Sequence, residues 1–221
     1  MEKHYEAVRE HVVEGQVTQT ENAVRKALDA GCPPEGILRE GLLAGMDEVG
    51  ALFKDGEMFV PEVLVSAKAM KGGMEILRPL LATGAAGQSG RILTATVEGD
   101  LHDIGVKLVG MMLEGAGFEV RNLGVDLPAA RIVEEVRSWR PHVLGLSAML
   151  TTTMTNMKSV VDSLREEGLA EGLAVMVGGA PVSKEYAERL GVHYSADAAE
   201  AVGVAKVLLQ KFREGALSDV R

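Results

Sequence analysis

The chain has 221 residues, of which 47% are apolar, and a formal net charge of −9. That length suffices for one large domain or two modest ones with a real hydrophobic core. The acidic balance and the absence of any basic run exclude binding through a nucleic-acid phosphate backbone, which needs clustered Lys and Arg. No stretch approaches the roughly 20 apolar residues of a membrane helix. The N-terminal MEKHYEAVRE lacks the apolar centre of a secretory signal, and the single Cys32 rules out an internal disulfide framework. The expectation is a cytoplasmic protein with neither nucleic acid nor membrane as a partner.

Residues 1 to about 82 contain no convincing strand and read as four helices. The first covers roughly 4–14, and the second about 17–30, stopped by Gly31. The third follows Pro33–Pro34 and runs to Phe53. Proline suits a first helical turn because its missing N–H is unused there. The fourth starts near Pro61 and carries Val63, Leu64, Ala67, Met70, Met74 and Leu77 at helical spacing. Short links between four helices predict a small up-and-down bundle. The small, polar, glycine-rich 83-TGAAGQSG-90 reads as a linker. The predicted boundaries are therefore 1–88 for a helical domain with its linker and 89–221 for a second domain.

In the second domain strands alternate with helices. Strand candidates are 91-RILTATV-97, 118-FEVRNLG-124, 142-HVLGLSA-148, 173-LAVMVGG-179 and a short 193-HYSA-196. Helix candidates cover 104–116, 128–139, 154–168, 183–190 and 197–214. This alternation predicts an α/β fold with a five-stranded parallel sheet of the doubly wound, flavodoxin-like type. Ligands of such sheets sit beyond the carboxyl ends of the strands.

The unusual residues collect at those ends. Gly99-Asp100-Leu101-His102-Asp103-Ile104-Gly105 follows the first strand, and Ser147 to Thr153 follow the third. Gly178-Gly179 follow the fourth, and Tyr194-Ser195 end the fifth. An Asp two residues before a His can accept the ring N–H, fix the tautomer and leave the other nitrogen free as a base or metal ligand. Equally, a lone His can merely fill a loop or cap a helix, and Asp103 can simply favour a helix start through the helix dipole. The glycine pair reads as an ordinary turn or as a place where a ligand runs against bare backbone. No G-x-G-x-x-G or P-loop pattern follows the first strand. His142 and His193 open strands and so fall at the opposite edge from His102. One histidine at the functional edge means one protein ligand, with the rest supplied by a prebuilt cofactor.

The spacing then resolves into a pattern. Asp100-Leu101-His102-Asp103-Ile104-Gly105 matches D-x-H-x-x-G, 41 residues intervene before Ser147-Ala148-Met149, and 28 more before Gly178-Gly179. This resembles the cobalamin-binding fingerprint D-x-H-x-x-G, S-x-L, G-G, with Met149 standing where the family has Leu. The helical half, through 50-GALFKDGEMFVPEVLVSAKAM-70, is similar to the cap module of methionine synthase. The whole chain is most similar to the small corrinoid proteins of methanol, methylamine and methoxy-aromatic methyltransferase systems.

The resemblance implies a cofactor, cobalamin or another corrinoid carrying cobalt, cycling through methylcobalamin. His102 would be the lower cobalt ligand in place of the cofactor's own base, with Asp100 bonded to it and Thr153 ending the relay. Asp103, Ile104, Gly105, Met149, Thr151, Tyr194 and Ser195 would line the site. Ser147 would meet the displaced tail, Gly178 and Gly179 would let that tail pass, and Phe53 and Val60 would cover the upper face. Cobalt in its Co(I) state would accept a methyl group from a substrate-specific methyltransferase and hand it to a second one of tetrahydrofolate- or thiol-acceptor type. A reductive activator is a further implied partner, and the 83–90 linker is the implied hinge. The chain need not itself be an enzyme. Three alternatives stay open: a cobalamin-dependent sensor, a mutase cofactor subunit, and a cofactor-free flavodoxin-like module.

Overall fold

The computed structural model describes residues 1–81 and 90–214. The expected linker, apart from Gly90, lies outside them. Two compact units make up the chain: residues 1–89 with 111–117, and residues 90–110 with 118–221. A boundary drawn in chain order at residue 88 assigns 111–117 to the second domain, whereas the contacts group this segment with the first unit.

The first unit contains α1 (Glu2–Val13), α2 (Val17–Asp29), α3 (Pro34–Gly36), a π-helical segment (Ile37–Leu43), α4 (Ala44–Lys54) and α5 (Val60–Leu81). Glycines in the left-handed conformation follow three of the helices: Gly15 (φ 67°), Gly31 (φ 78°) and Gly56 (φ 76°). Only glycine adopts that conformation without a steric cost. At the start of α5, the Phe59 N–H donates to the Glu62 carboxylate at 2.8 Å. The bundle interior holds Val8, Val12, Val24, Ile37, Leu42, Val49, Val63, Met70 and Leu77. Cys32 is buried and free.

The third predicted helix is continuous but not regular. Its π-helical segment hydrogen-bonds in steps of five residues, and this keeps residues five apart in line. Gly36 and Gly41 are five apart, and Gly45 is four further on, inside α4. All three face α1. A methyl group added at Gly36 would come within 2.5 Å of Tyr5, at Gly41 within 2.9 Å of Val8, and at Gly45 within 2.9 Å of Val12. Three bare positions before, within and after the π turn thus let α1 dock closely against the helix backbone.

From Gly90 onward the chain runs β1 (Arg91–Thr96), α6 (Ile104–Gly115), β2 (Glu119–Asn122), α7 (Ala129–Trp139), β3 (Val143–Ser147), α8 (Thr155–Glu166), β4 (Ala174–Gly178), α9 (Lys184–Leu190), β5 (His193–Tyr194) and α10 (Ala198–Arg213). All five strands pair in parallel, in the order β2-β1-β3-β4-β5. The chain order reverses between β1 and β3, so the crevice beyond their carboxyl ends is the topological switch point. Ser183 and Asp197 cap α9 and α10 by accepting the N–H groups of Tyr186 and Glu200.

Alternation along each strand divides the sheet into two unlike faces. Leu93, Ala95, Val97, Leu144, Leu146, Val175 and Val177 join buried residues of α7, α8 and α9 in one apolar core. The opposite face carries Ile92, Thr94 and Thr96 from β1, paired in register with Val143, Gly145 and Ser147 of β3. His142 and His193 sit at the amino-terminal edge. The His142 Nδ1 accepts the Arg91 N–H at 3.0 Å. Burial pushes both imidazoles below their ordinary pKa, helped at His142 by Arg91 and Arg213 and at His193 by Lys211. Among the described residues no helix is long and apolar enough to cross a membrane.

Candidate functional site

The loop after β1 is held from several sides. Gly99 turns it with φ 79°. The Gly99 N–H donates to Asp126 Oδ1 at 2.7 Å, and the Asp126 N–H donates to the Asp100 carbonyl at 3.0 Å. Asp126 itself is left-handed, φ 55°, a conformation that Asp tolerates better than most residues. The Asn156 amide donates to the Glu98 carbonyl at 2.8 Å, and the Thr96 hydroxyl to the His102 carbonyl at 3.2 Å. Thr96, Asp126 and Asn156 lie outside the residues that the sequence pattern marks. Their side chains bond to backbone or to residues distant in sequence, so no local pattern marks them.

Asp100 is the centre of the loop. Its carboxylate is fully buried and accepts four hydrogen bonds. Oδ1 takes the His102 ring Nδ1 at 2.7 Å and the His102 N–H at 3.1 Å. Oδ2 takes the Met149 N–H at 2.6 Å and the Thr153 hydroxyl at 2.7 Å. Burial alone would push the carboxyl pKa up. The bonds from Met149, Thr153 and His102 outweigh burial and hold it well below the usual carboxylate range. An ionised carboxylate only accepts, so His102 Nδ1 is the donor in this bond, and in the neutral imidazole the free lone pair is the one on Nε2. The His102 side chain is 55% exposed, so that lone pair belongs to a rigidly held imidazole at the protein surface.

The surroundings of this imidazole are apolar and exposed. Leu101 is 73% and Ile104 76% exposed on the His102 loop, and Met149 and Leu150 lie open on the loop that binds Asp100. Large apolar side chains grouped around a ligand nitrogen mark a binding surface. A methyl group added at Gly105 would meet nothing within 4 Å. Thr151 is exposed in the same loop, and Ser147 is half-buried at the end of β3. Asp103 is engaged elsewhere: its carboxylate pairs with Lys107 one turn into α6, and that bond lowers its pKa.

Gly178 and Gly179 close the far side of the crevice. At Gly178 a methyl group would sit 2.8 Å from the Ser195 carbonyl. At Gly179, φ 128°, it would overlap the Ala148 carbonyl oxygen. The protein's own neighbouring loops thus require both glycines. Gly179→Ala is expected to destabilise the fold by roughly 3 kcal/mol or more, read as a lower urea midpoint with unchanged slope. Ser195 donates its N–H to the Val177 carbonyl at 3.1 Å and stays beside Gly178. Tyr194, by contrast, pairs in register with Val177 and packs against the α7–α9 core. Strand parity turns its side chain away from the face that carries Gly178. Phe53 and Val60 are half-buried in the helical unit, at the end of α4 and the start of α5.

The arrangement fits a metal macrocycle. Among the described residues no group of three or more His, Cys, Asp and Glu could hold a metal ion, so a metal bound by His102 must bring its other ligands. A flat apolar ring around the metal would cover Leu101, Ile104, Met149 and Leu150. Glycine and small hydroxyl residues on the adjoining sheet face leave room for an appendage.

Comparison with known proteins agrees with this geometry. Residues 90–205 match a B12 binding domain family, and residues 5–78 match a second B12 binding domain family. The chain is 45% identical to dimethylamine corrinoid protein 1 of Methanosarcina acetivorans over 189 residues, 85% of this chain and 88% of that one. Its fold is similar to the methanol:cobalamin methyltransferase complex of Methanosarcina barkeri, with TM-score 0.82 and 28% identity, covering 98% of this chain and 85% of that one. It is also similar to a cobalamin-binding protein from Desulfitobacterium hafniense, with TM-score 0.78 and 32% identity, covering 91% of this chain and 97% of that one. With both parts matched and the cofactor thereby identified as a cobalt corrinoid, this chain belongs to the B12-binding corrinoid proteins.

Proposed function

We propose that this protein is a methyl carrier that binds a corrinoid with the cofactor's own base displaced and His102 as the lower cobalt ligand. The observation that carries the reading is the fully buried Asp100 carboxylate, which holds His102 with Nε2 free among exposed apolar side chains. The bound corrinoid supplies a cobalt centre that takes a methyl group when reduced and yields it to a second acceptor.

The chain's own residues do the rest. Asp100 fixes the proton on His102 Nδ1 and so points Nε2 at the metal. Thr153 and the Met149 N–H keep Asp100 ionised and immobile. Ser147 and Thr151 face the cofactor from the β3 loop. Leu101, Ile104, Met149 and Leu150 exclude water from its lower side.

The partners in this reading are a substrate-specific methyltransferase, a second methyltransferase with a tetrahydrofolate or thiol acceptor, and a reductive activator. The similarity to dimethylamine corrinoid protein 1 supports a methylamine as the first methyl source to test. The experiment uses the full chain reconstituted with hydroxocobalamin, reduced, and mixed with methyl-labelled dimethylamine and a dimethylamine methyltransferase. Label is expected on the protein-bound corrinoid and is expected to leave when a thiol acceptor and its methyltransferase are added. A reduced, corrinoid-loaded protein that takes no label from dimethylamine or from methyl iodide would remove the carrier role.

A further inference from the structure

The loop that carries Asp100 and His102 is gripped by a residue whose backbone is strained. Asp126, between β2 and α7, holds φ 55°. Among the described residues the chain meets that left-handed region with glycine at ten positions, and with another residue only at Asp126 and Arg140. Arg140 is the C-cap of α7, where a left-handed residue closes the helix. Asp126 ends no helix or strand. A side chain kept where glycine would sit without strain points to a task for that side chain.

The hydrogen bonds show what that task is. Asp126 Oδ1 accepts the Gly99 N–H at 2.7 Å, and the Asp126 N–H donates to the Asp100 carbonyl at 3.0 Å. One bond falls before Asp100 in the chain and the other after its Cα. Together they bracket the residue whose carboxylate holds the His102 ring at 2.7 Å. The segment around Asp126 is secured without its side chain. The Thr96 N–H donates to the Gly124 carbonyl at 2.9 Å, and the Leu127 N–H to the Thr96 carbonyl at 3.2 Å. These bonds tie the segment to β1 on both sides of Asp126, so its carboxylate serves the His102 loop.

Resting on the corrinoid reading above, we propose that Asp126 is a positioning residue for the cobalt ligand. It acts through the loop: by bracketing Asp100 it sets where the Asp100 carboxylate stands, and thereby where His102 Nε2 stands. A metal ligand works only when held within about 0.5 Å of its productive place. Without the bond from Gly99, the loop still keeps the Asn156 amide on the Glu98 carbonyl at 2.8 Å and the Asp100 N–H on the Val97 carbonyl at 3.2 Å. It therefore stays folded but is free to shift. The left-handed backbone of Asp126 is what aims its carboxylate at Gly99.

The test compares the wild type, Asp126→Gly and Asp126→Asn, each as the full chain titrated with methylcobalamin. Imidazole ligation and corrinoid affinity are read from absorption spectra, and stability from urea midpoints of the corrinoid-free chain. Glycine adopts φ 55° freely and retains the backbone N–H, so Asp126→Gly is expected to keep the urea midpoint. Its corrinoid affinity is expected to fall about tenfold, the lower end of what outer partners of a metal ligand contribute, and the imidazole-ligated fraction to fall with it. Asparagine tolerates the left-handed region and offers the same acceptor oxygen, so Asp126→Asn is expected to stay within about threefold of the wild type. An Asp126→Asn variant as weak as Asp126→Gly would overturn the proposal. So would a urea midpoint that falls in step with the affinity in Asp126→Gly, because a purely structural role gives that result. A wild type without imidazole ligation overturns the corrinoid reading and this inference with it. A ligated wild type matched by Asp126→Gly in spectrum and affinity overturns only the role of Asp126.

Discussion

His102→Ala is expected to abolish imidazole ligation in the reconstituted protein and to weaken corrinoid retention by about 100-fold or more. Second-sphere partners of a metal ligand are already worth about 10–100-fold, and the ligand itself is worth at least that. The fold is expected to survive. The His102 side chain is 55% exposed, and its removal takes only one of the four donors from Asp100. The residue-102 N–H still donates to Oδ1, and Met149 and Thr153 still occupy Oδ2. The unfolding free energy should therefore change by less than about 1 kcal/mol. The check is an absorption spectrum with hydroxocobalamin, compared with the wild type and paired with urea denaturation. A variant that keeps both the spectrum and the affinity of the wild type would remove His102 as the cobalt ligand.

Asp100→Asn is expected to damage both stability and binding. The amide is isosteric with the carboxylate but presents an NH2 group to one of the two donor pairs. If that group faces the Oδ2 side, it opposes the Met149 N–H, which has no freedom to turn. Thr153 can redirect its hydroxyl to the Leu150 carbonyl at 3.0 Å. If the NH2 group faces the other side, it opposes the His102 N–H and ring and displaces the imidazole. Either way a buried donor is left unpaired, at a cost of roughly 2–4 kcal/mol.

The effect depends on pH with a definite sign. The Asp100 carboxyl is held below its ordinary value of 3.8 in the folded protein. Its contribution to stability is therefore complete above about pH 4 and is lost as pH falls below that, when the unfolded chain takes up a proton that the folded chain refuses. Urea midpoints measured between pH 3 and 7 should show a constant gap between wild type and Asp100→Asn above pH 4, and a closing gap below it. A gap that stays constant to pH 3 would mean that Asp100 is not held ionised by its neighbours. Corrinoid affinity of the variant should fall about 10–100-fold, because the imidazole loses the group that orients it.

Local pattern was enough for the architecture of the second unit. Its helices and strands all form within two residues of their predicted bounds, the largest relative shortenings being β5, two residues long instead of four, and β2, four instead of seven. Periodicity and turn residues are local properties, so they survive without knowledge of the fold. The loop after β1 was legible for the same reason: Asp100 and His102 are two residues apart, and that separation alone allows their hydrogen bond. Thr153 required the spacing of a whole motif, since its partner Asp100 is 53 residues away.

Tertiary structure decided the rest. Gly36, Gly41 and Gly45 all face α1 across the π-helical segment, and glycine content alone does not announce such an alignment. Tyr194 is turned from the crevice by its pairing with Val177; parity depends on register, and register is set between strands. Asp103 is drawn to Lys107, a helix-surface pairing that competes with any role in the crevice. Gly178 and Gly179 are required by the Ser195 and Ala148 carbonyls, close approaches that depend on how three loops meet.

By itself, then, the sequence determined the helix-then-α/β order, the parallel sheet and the identity of the Asp100–His102 pair, because each rests on neighbours along the chain. Only the folded chain decided that Asp100 is buried and fourfold bonded and that His102 is open. Burial and hydrogen-bond satisfaction belong to atoms brought together from distant segments, and no stretch of sequence holds both partners.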